Sequence, residues 1–437
     1  MSRAFALRSS YDREILTLAV PALGSLAAEP LYILVDTAIV GHLGREQLAA
    51  LGIAAVVLGT LFAIFNFLQN GTTAQVGRAS GAGEERAARQ IGGQALWLCL
   101  GVGLALTGLL VALAPEVVTL MGGEGQTADY AVTYLRIVSL GLPFAFIAIG
   151  AQGYLRGFAD LRTPLVILIA ANVANVIVEV LFVYGFGWGI EGSAWGTVLA
   201  QGGMGVAFIV VLARRARGDL RPRTRLMVRL LRVGRYIFIR TTALMAAFAL
   251  AGAIVTRFGD ASIAAHQIAF QLWIFLALVL DSVAIAGQVI VGRGLGAGDT
   301  ENAYAASARM IWLSVYAGVV FGAVMLGLEG VLPYVFTSDE LVVERTQAIW
   351  LLFVLMQPLN GAVFALDGIL IGASDGPFLA WSMVAAFAAS AVVALSALAL
   401  DWGIVGVWAA LVVLICVRLV LMSWRFSGRR WLVTGWA

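Results

Sequence analysis

Hydrophobic and polar positions in this 437-residue chain are segregated into long blocks instead of alternating turn by turn. Apolar runs of bilayer-crossing length, about 20 residues each, follow one another with short polar intervals. Hydropathy predicts twelve spans, at roughly 14–41, 48–75, 91–114, 130–155, 163–186, 190–213, 234–257, 263–291, 306–328, 346–372, 378–400 and 403–425. The fold class is therefore all-α integral membrane protein.

The pattern is written twice. VGRASGAGEE at 76–85 returns as VGRGLGAGDT at 291–300. The same shift in numbering carries Pro143, Gly153, Leu155, Gly157 and Asp160 onto Pro358, Gly368, Leu370, Gly372 and Asp375, and Gly44 onto Gly259. Trp188-Gly189-Ile190 and Trp402-Gly403-Ile404 match at a shift smaller by one. Each half holds six spans. An even number returns the chain to its starting side, so the repeat is parallel, with its pseudo-axis along the membrane normal. The expected domains are an N-lobe at 1–213, an Arg-rich linker at 214–233 and a C-lobe at 234–437. Paired halves in a membrane chain point to a transporter.

Composition agrees: 61% of residues are hydrophobic, 12% are charged and the mean hydropathy is +0.94, whereas soluble domains carry about a quarter charged residues. All 28 basic residues are Arg. They cluster in the N-terminal segment, after the second and fourth spans, in RRARGDLRPRTRLMVRLLR at 214–232, and in the tail. The alternate loops carry Arg45, Arg257 and Arg345 beside several acids. The positive-inside rule then places both termini and the linker in the cytoplasm of a cell-membrane protein. The linker reads as a topology anchor touching anionic lipid, with no nucleic-acid partner. Cys99 and Cys416 fall in apolar spans, against a disulfide framework. No removable signal peptide is expected at the N-terminus.

Ionisable groups inside spans are costly and usually functional. In EPLYILVD, Glu29 and Asp36 are seven apart on one helix face, and Pro30 is expected to bend that helix. In ANVANVIVEV, Asn172, Asn175 and Glu179 share a face, and Glu179 sits at a depth similar to Asp36. The repeat places Asp36 on Ala251, so this acid does something only the first half does. Asp281 and Asp367 in the second half, with Gln152, are further candidates for the pathway or its gating. Arg240 is expected to extend to the interface, and Glu191 to be interfacial. Trp273 and Phe270 are expected either to give a cation–π contact or to face lipid.

Several classes are excluded. There is no Walker A stretch and no Lys, which argues against ATP hydrolysis, and the two Gly-Arg-rich segments read as repeated turns, not phosphate cradles. His42 and His266 are isolated. No Ser/His/Asp set, metal-ligand cluster or cofactor motif is visible, so an enzyme is not expected.

The chain resembles the multidrug and toxic compound extrusion (MATE) family, most closely its DinF-like branch. The resemblance rests on LAVPALG at 18–24, EPLYILVDTAIVGHLG at 29–44, the VGR-x-x-GAG loops and QGYLRGFADLRTPL at 152–165, and covers nearly the whole chain. It implies a V of two six-helix lobes and a cation-binding cluster in the first lobe. In that cluster Tyr32 and Asp36, Asn175 and Glu179, and Thr197 match the family's positions. Glu179 stands where the family usually has Asp, and Val180 where Pro often follows. The resemblance thus implies an antiporter that exports amphipathic or cationic compounds in exchange for H⁺ or Na⁺, by alternating access. Asp36 and Glu179 would take H⁺, or Na⁺ together with Asn175 and Thr197, and the bend at Pro30 would respond. A functional monomer is expected. The competing readings are a lipid-linked precursor flippase of the same superfamily and a lipid-modifying membrane enzyme.

Overall fold

A computed structural model describes residues 9–216 and 221–436 of the chain. Of the arginines that predict the orientation, Arg3, Arg8 and Arg217 lie outside the described residues. The described chain is helical, without strands: α1 Ser10–Gly41, α2 Arg45–Phe65, α3 Phe67–Gly81, α4 Glu85–Leu120, α5 Gly125–Ser139, α6 Leu142–Gly157, α7 Arg162–Val180, α8 Gly189–Ala216, α9 Thr224–Val255, α10 Asp260–Gly296, α11 Thr300–Gly327, α12 Leu332–Phe336, α13 Glu340–Gly372, α14 Gly376–Ala399 and α15 Gly403–Ser427. Eleven helices, α2 and α3 counting as one, are long and apolar enough to cross a membrane, and the bent pair α5–α6 makes a twelfth. A helix satisfies its own backbone polar groups, which hydrocarbon cannot do, so this is the architecture the apolar runs demand. The protein is a multi-pass membrane protein.

The described residues fall into two compact units, each considered alone. The N-lobe runs from Gly24 to Gly234, and the C-lobe combines the chain up to Leu23 with the chain from Arg235. The start of α1 therefore belongs with the second half. Arg309 of α11 donates to both carboxylate oxygens of Asp12, at 2.6 and 2.9 Å, and Tyr11 donates to Asn302 at 2.9 Å.

The repeat is visible in the turns and contacts. Gly83 and Gly298 adopt φ values of 77° and 78°, and Ala159 and Ser374 adopt 62° and 59°. The amides that follow the latter two, Asp160 and Asp375, donate to the Leu155 and Leu370 carbonyls at 2.9 and 3.0 Å. A Cβ on Gly103 would stand 2.6 Å from the Pro143 Cα, and one on Gly318 would stand 2.8 Å from the Pro358 Cα. Each half also pairs its loop aspartate with an arginine of its last helix: Asp160 with Arg215 at 2.7 Å, and Asp375 with Arg425 at 2.6 Å.

One expectation changes. The predicted span 130–155 is bent by 53° between α5 and α6. Pro143 has no N–H for the Ser139 carbonyl four residues earlier, and the Thr107 hydroxyl donates to that carbonyl instead, at 2.6 Å. Its counterpart Pro358 lies inside the unbroken α13. α1 runs as one helix from Ser10 to Gly41 with Pro30 inside it.

Candidate functional site

The site is built in the N-lobe by α1, α7 and α8. Small residues bring the last two together. A Cβ on Gly196 would lie 3.2 Å from the Glu179 Cα, and one on Gly192 would lie 2.8 Å from the Phe182 carbonyl carbon. This Gly-x-x-x-Gly spacing lets the two backbones approach. The residues just after each glycine, Ser193 and Thr197, are then turned into the cluster. After α7 the chain makes a π-helical turn, Leu181–Gly185, and Tyr184 from that turn donates to the Ile39 carbonyl of α1 at 2.6 Å.

Asp36 is 6% exposed and accepts a 2.9 Å hydrogen bond from Ser193. The Thr197 hydroxyl donates to the Ser193 carbonyl at 3.2 Å, which leaves Tyr32 as the donor in the 3.0 Å Tyr32–Thr197 bond. Glu179 is fully buried, and its carboxylate faces Asp36 and Ser193. Neither of its oxygens meets a protein donor in hydrogen-bonding geometry, and the Asn175 amide, 2% exposed, is unbonded at both ends. Two facing carboxylates in a low-dielectric setting repel, and a shared proton or cation relieves that repulsion. The oxygen set of Asp36, Glu179, Asn175 and Thr197 is of the kind a hard cation takes.

Two cavities adjoin this cluster. The larger, about 410 Å³, is lined by Glu29, Asn66, Gln69, Gln152, Arg156, Asn172 and Asn175 among apolar groups. The smaller, about 170 Å³, is lined by Asp36, Tyr134 and residues of α2. Glu29, Tyr32, Thr197 and Gln201 line both. A volume of roughly 300–1,000 Å³ suits a small-molecule ligand. Asn172 donates to the Ala28 carbonyl of α1 at 3.0 Å, at the cavity wall.

The structure thus brings together Tyr32, Asp36, Asn175, Glu179 and Thr197, and places Glu29, Gln152 and Asn172 in the adjoining cavity. Pro30 is exposed on α1. Ser193, Tyr134 and Gln201 were not singled out from the sequence. Ser193 lies one turn before Thr197 in GSAWGT, so its helical spacing was the available signal.

The C-lobe acids fare differently. Asp367 accepts from Arg240 Nε at 2.9 Å and from Arg418 at 3.3 Å, and a second Arg240 nitrogen completes a fork on the carboxylate. Arg240 therefore pairs inside its lobe and does not extend to the interface. Asp281 is half-buried on α10. Trp273 and Phe270 pack on each other and on Phe248, with ring centroids 5.1–5.5 Å apart, inside the C-lobe. Glu191 is exposed in the first turn of α8. Among the described residues no group of three or more His, Cys, Asp or Glu could hold a metal ion.

The repeat exposes an asymmetry. Ala28, Tyr32, Leu168 and Ala171 all line the larger N-lobe cavity. Their counterparts in the second half are Ala243, Ala247, Met383 and Ala386, which pack as a closed apolar core with Leu414. The counterparts of Asp36 and Glu179 are Ala251 and Ala394, both buried. Only the N-lobe keeps an open cavity and an acidic pair at these positions.

A protein-family comparison matches the MatE family at residues 21–181 and 237–396. Protein DETOXIFICATION 44, chloroplastic, of Arabidopsis thaliana is 31% identical over 438 residues, which cover 95% of this chain and 82% of the relative. DNA damage-inducible protein F of Escherichia coli is 28% identical, covering 98% and 94%. Among solved structures, the Vibrio cholerae MATE transporter VcmN in the bent form superposes with a TM-score of 0.89 at 18% identity, over 96% of this chain and 97% of that one.

Proposed function

The chain belongs to the MatE family of multidrug and toxin efflux transporters, and on that premise we propose that it exports amphipathic, often cationic, compounds in exchange for H⁺ or Na⁺. It is a transporter and not an enzyme. The observation that carries the coupling reading is the unbonded Glu179 carboxylate and Asn175 amide, buried beside Asp36. Polar groups left unpaired at such depth cost about 1–3 kcal/mol each, and a cation or proton arriving at Asp36 and Glu179 removes much of that cost. Tyr32 and Thr197 hold the α1 and α8 sides of the cluster in register. When the ion binds, the charge that repels α1 from α7 is neutralised. The free energy of that step is then available to re-pack α1 at Pro30 and to reshape the cavity. Release of the ion restores the charged cluster, and the cavity is exposed alternately to the two sides of the membrane. We place the protein in the cell membrane with both termini cytoplasmic, as its arginine distribution directs, and working as a monomer.

The test is ethidium efflux from proteoliposomes under a pH gradient and a Na⁺ gradient imposed separately, wild type against Asp36→Asn. Efflux driven by one gradient and lost in the variant is the expected result. Full gradient-driven efflux in Asp36→Asn at equal protein density would sink the coupling assignment.

A further inference from the structure

Glu29 is the one carboxylate that lines both N-lobe cavities. It is exposed to them, whereas Asp36 is 6% exposed and Glu179 is fully buried. Asp36 lines the smaller cavity and not the larger, and Glu179 lines neither. A positive group in the larger cavity therefore meets Glu29 before the acidic pair. The other charged side chain in that lining is Arg156, in the last turn of α6. The rest of the wall is uncharged, apolar groups with amides and the hydroxyls of Ser25, Tyr32 and Thr197, and in such a surround, shielded from bulk water, a single carboxylate attracts strongly. The lobe architecture does not require an acid here: the equivalent position in the second half is Leu244, packed against the closed C-lobe core.

We propose that Glu29 is the charge-selecting residue of the export pathway. It holds the positive group of an amphipathic substrate at the junction of the two cavities, two helical turns from Asp36. Substrate charge and coupling ion are thus read by separate carboxylates on one face of α1. This rests on reading the larger cavity as the substrate pathway.

The test is equilibrium binding of two dyes to the full-length protein in nanodiscs: a naphthyl dye with a trimethylammonium head, and its neutral tert-butyl isostere. Wild type is expected to prefer the ammonium dye by about tenfold, equivalent to roughly 1.4 kcal/mol. Glu29→Gln should abolish that preference by weakening only the ammonium dye, and Glu29→Asp should restore most of it. A wild type that does not distinguish the dyes overturns the proposal. So does a Glu29→Gln variant that keeps the preference, or one that loses both dyes equally, since the residue would then shape the cavity without reading charge. Ion-driven efflux indifferent to Asp36→Asn, with the dye preference still dependent on Glu29, would overturn the coupling reading and leave this assignment standing.

Discussion

Glu179 is fully buried in a membrane span with both carboxylate oxygens unbonded, and the neighbouring acid is held in place by Ser193. Such an arrangement lowers stability in return for a site, so relieving it should show a trade-off. Glu179→Gln removes one of two repelling acids at constant size. Its melting temperature should equal or exceed that of the wild type, while gradient-driven efflux falls at least about tenfold, the scale of roughly 1.4 kcal/mol of lost ion binding. A lower melting temperature would mean that the carboxylate is a structural partner. Ser193→Ala deletes a hydrogen bond to a charged group, which is worth about 1.5–3 kcal/mol. The bond favours the charged carboxylate, so without it proton-driven efflux should reach half-maximum at several-fold lower proton concentration, and a titration of initial rates checks this. These residues differ in how visible they were beforehand. Asp36, Asn175 and Glu179 stand out because an ionisable or amide group in an apolar run is rare. Ser193 does not, because a serine between glycines in a span is ordinary until α7 is seen lying against it. Asp367 stood out equally well as an embedded acid, but no local pattern shows that Arg418, far along the chain on α15, comes to share it.

At the scale of elements, the site depends on how closely α8 can lie on α7. Gly196 provides that contact at the backbone of Glu179 itself. Gly196→Val would push α8 away by the bulk of its side chain, an overpacking cost of about 1–3 kcal/mol, and would disturb Ser193 and Thr197 together. Thermal melting and efflux should therefore fall in parallel in this variant, unlike in Glu179→Gln. The start of α7 is fixed by Asp160, which accepts from the Thr163 amide at 3.0 Å, the Thr163 hydroxyl at 2.7 Å and Arg215. Burial alone would raise this carboxyl, but the bonds from Thr163 and the Arg215 guanidinium outweigh it and hold it below the usual carboxylate range. Its stabilisation is then complete above the unfolded carboxylate value and is lost as pH falls through the lower folded one. Asp160→Asn keeps the cap but loses the charge that pairs with Arg215, which should cost at most about 1 kcal/mol at neutral pH, and melts in decreasing pH should show that gap closing below about pH 4. Twelve spans were legible because hydropathy registers length and apolarity. The 53° bend between α5 and α6 was not, because the equivalent proline sits at a helix break in one half and inside the unbroken α13 in the other. What differs is a three-dimensional partner, the Thr107 hydroxyl that donates to the freed Ser139 carbonyl, where the second half has Gly322.

On the scale of the whole chain, one six-helix plan has been used for two purposes. The C-lobe charges occupy positions equivalent to the N-lobe cavity lining. In the repeat, Arg240 and Asp367 are the counterparts of Ser25 and Gln152, and Arg418 is the counterpart of Met204 in the register set by the paired Trp-Gly-Ile segments. At these three positions the N-lobe keeps neutral residues around space, whereas the C-lobe keeps an Arg–Asp–Arg cluster beside a closed apolar core. A buried cluster of this kind is costly to break and cheap to replace as a unit, because desolvation offsets most of the attraction. Asp367→Ala alone would leave two buried guanidiniums without their shared carboxylate, and the C-lobe should lose about 3–5 kcal/mol. The triple change Arg240→Ser, Asp367→Gln and Arg418→Met writes the N-lobe residues into the C-lobe. It should melt close to the wild type, since no charge is left unpaired. If ion-driven, Asp36-dependent efflux survives in the triple variant, the cluster serves the C-lobe's packing and the coupling chemistry belongs to one half of the repeat. Loss of efflux from a variant that still melts normally would instead show that the second half supplies charge to the transport cycle, and the division of labour drawn from the repeat would be wrong.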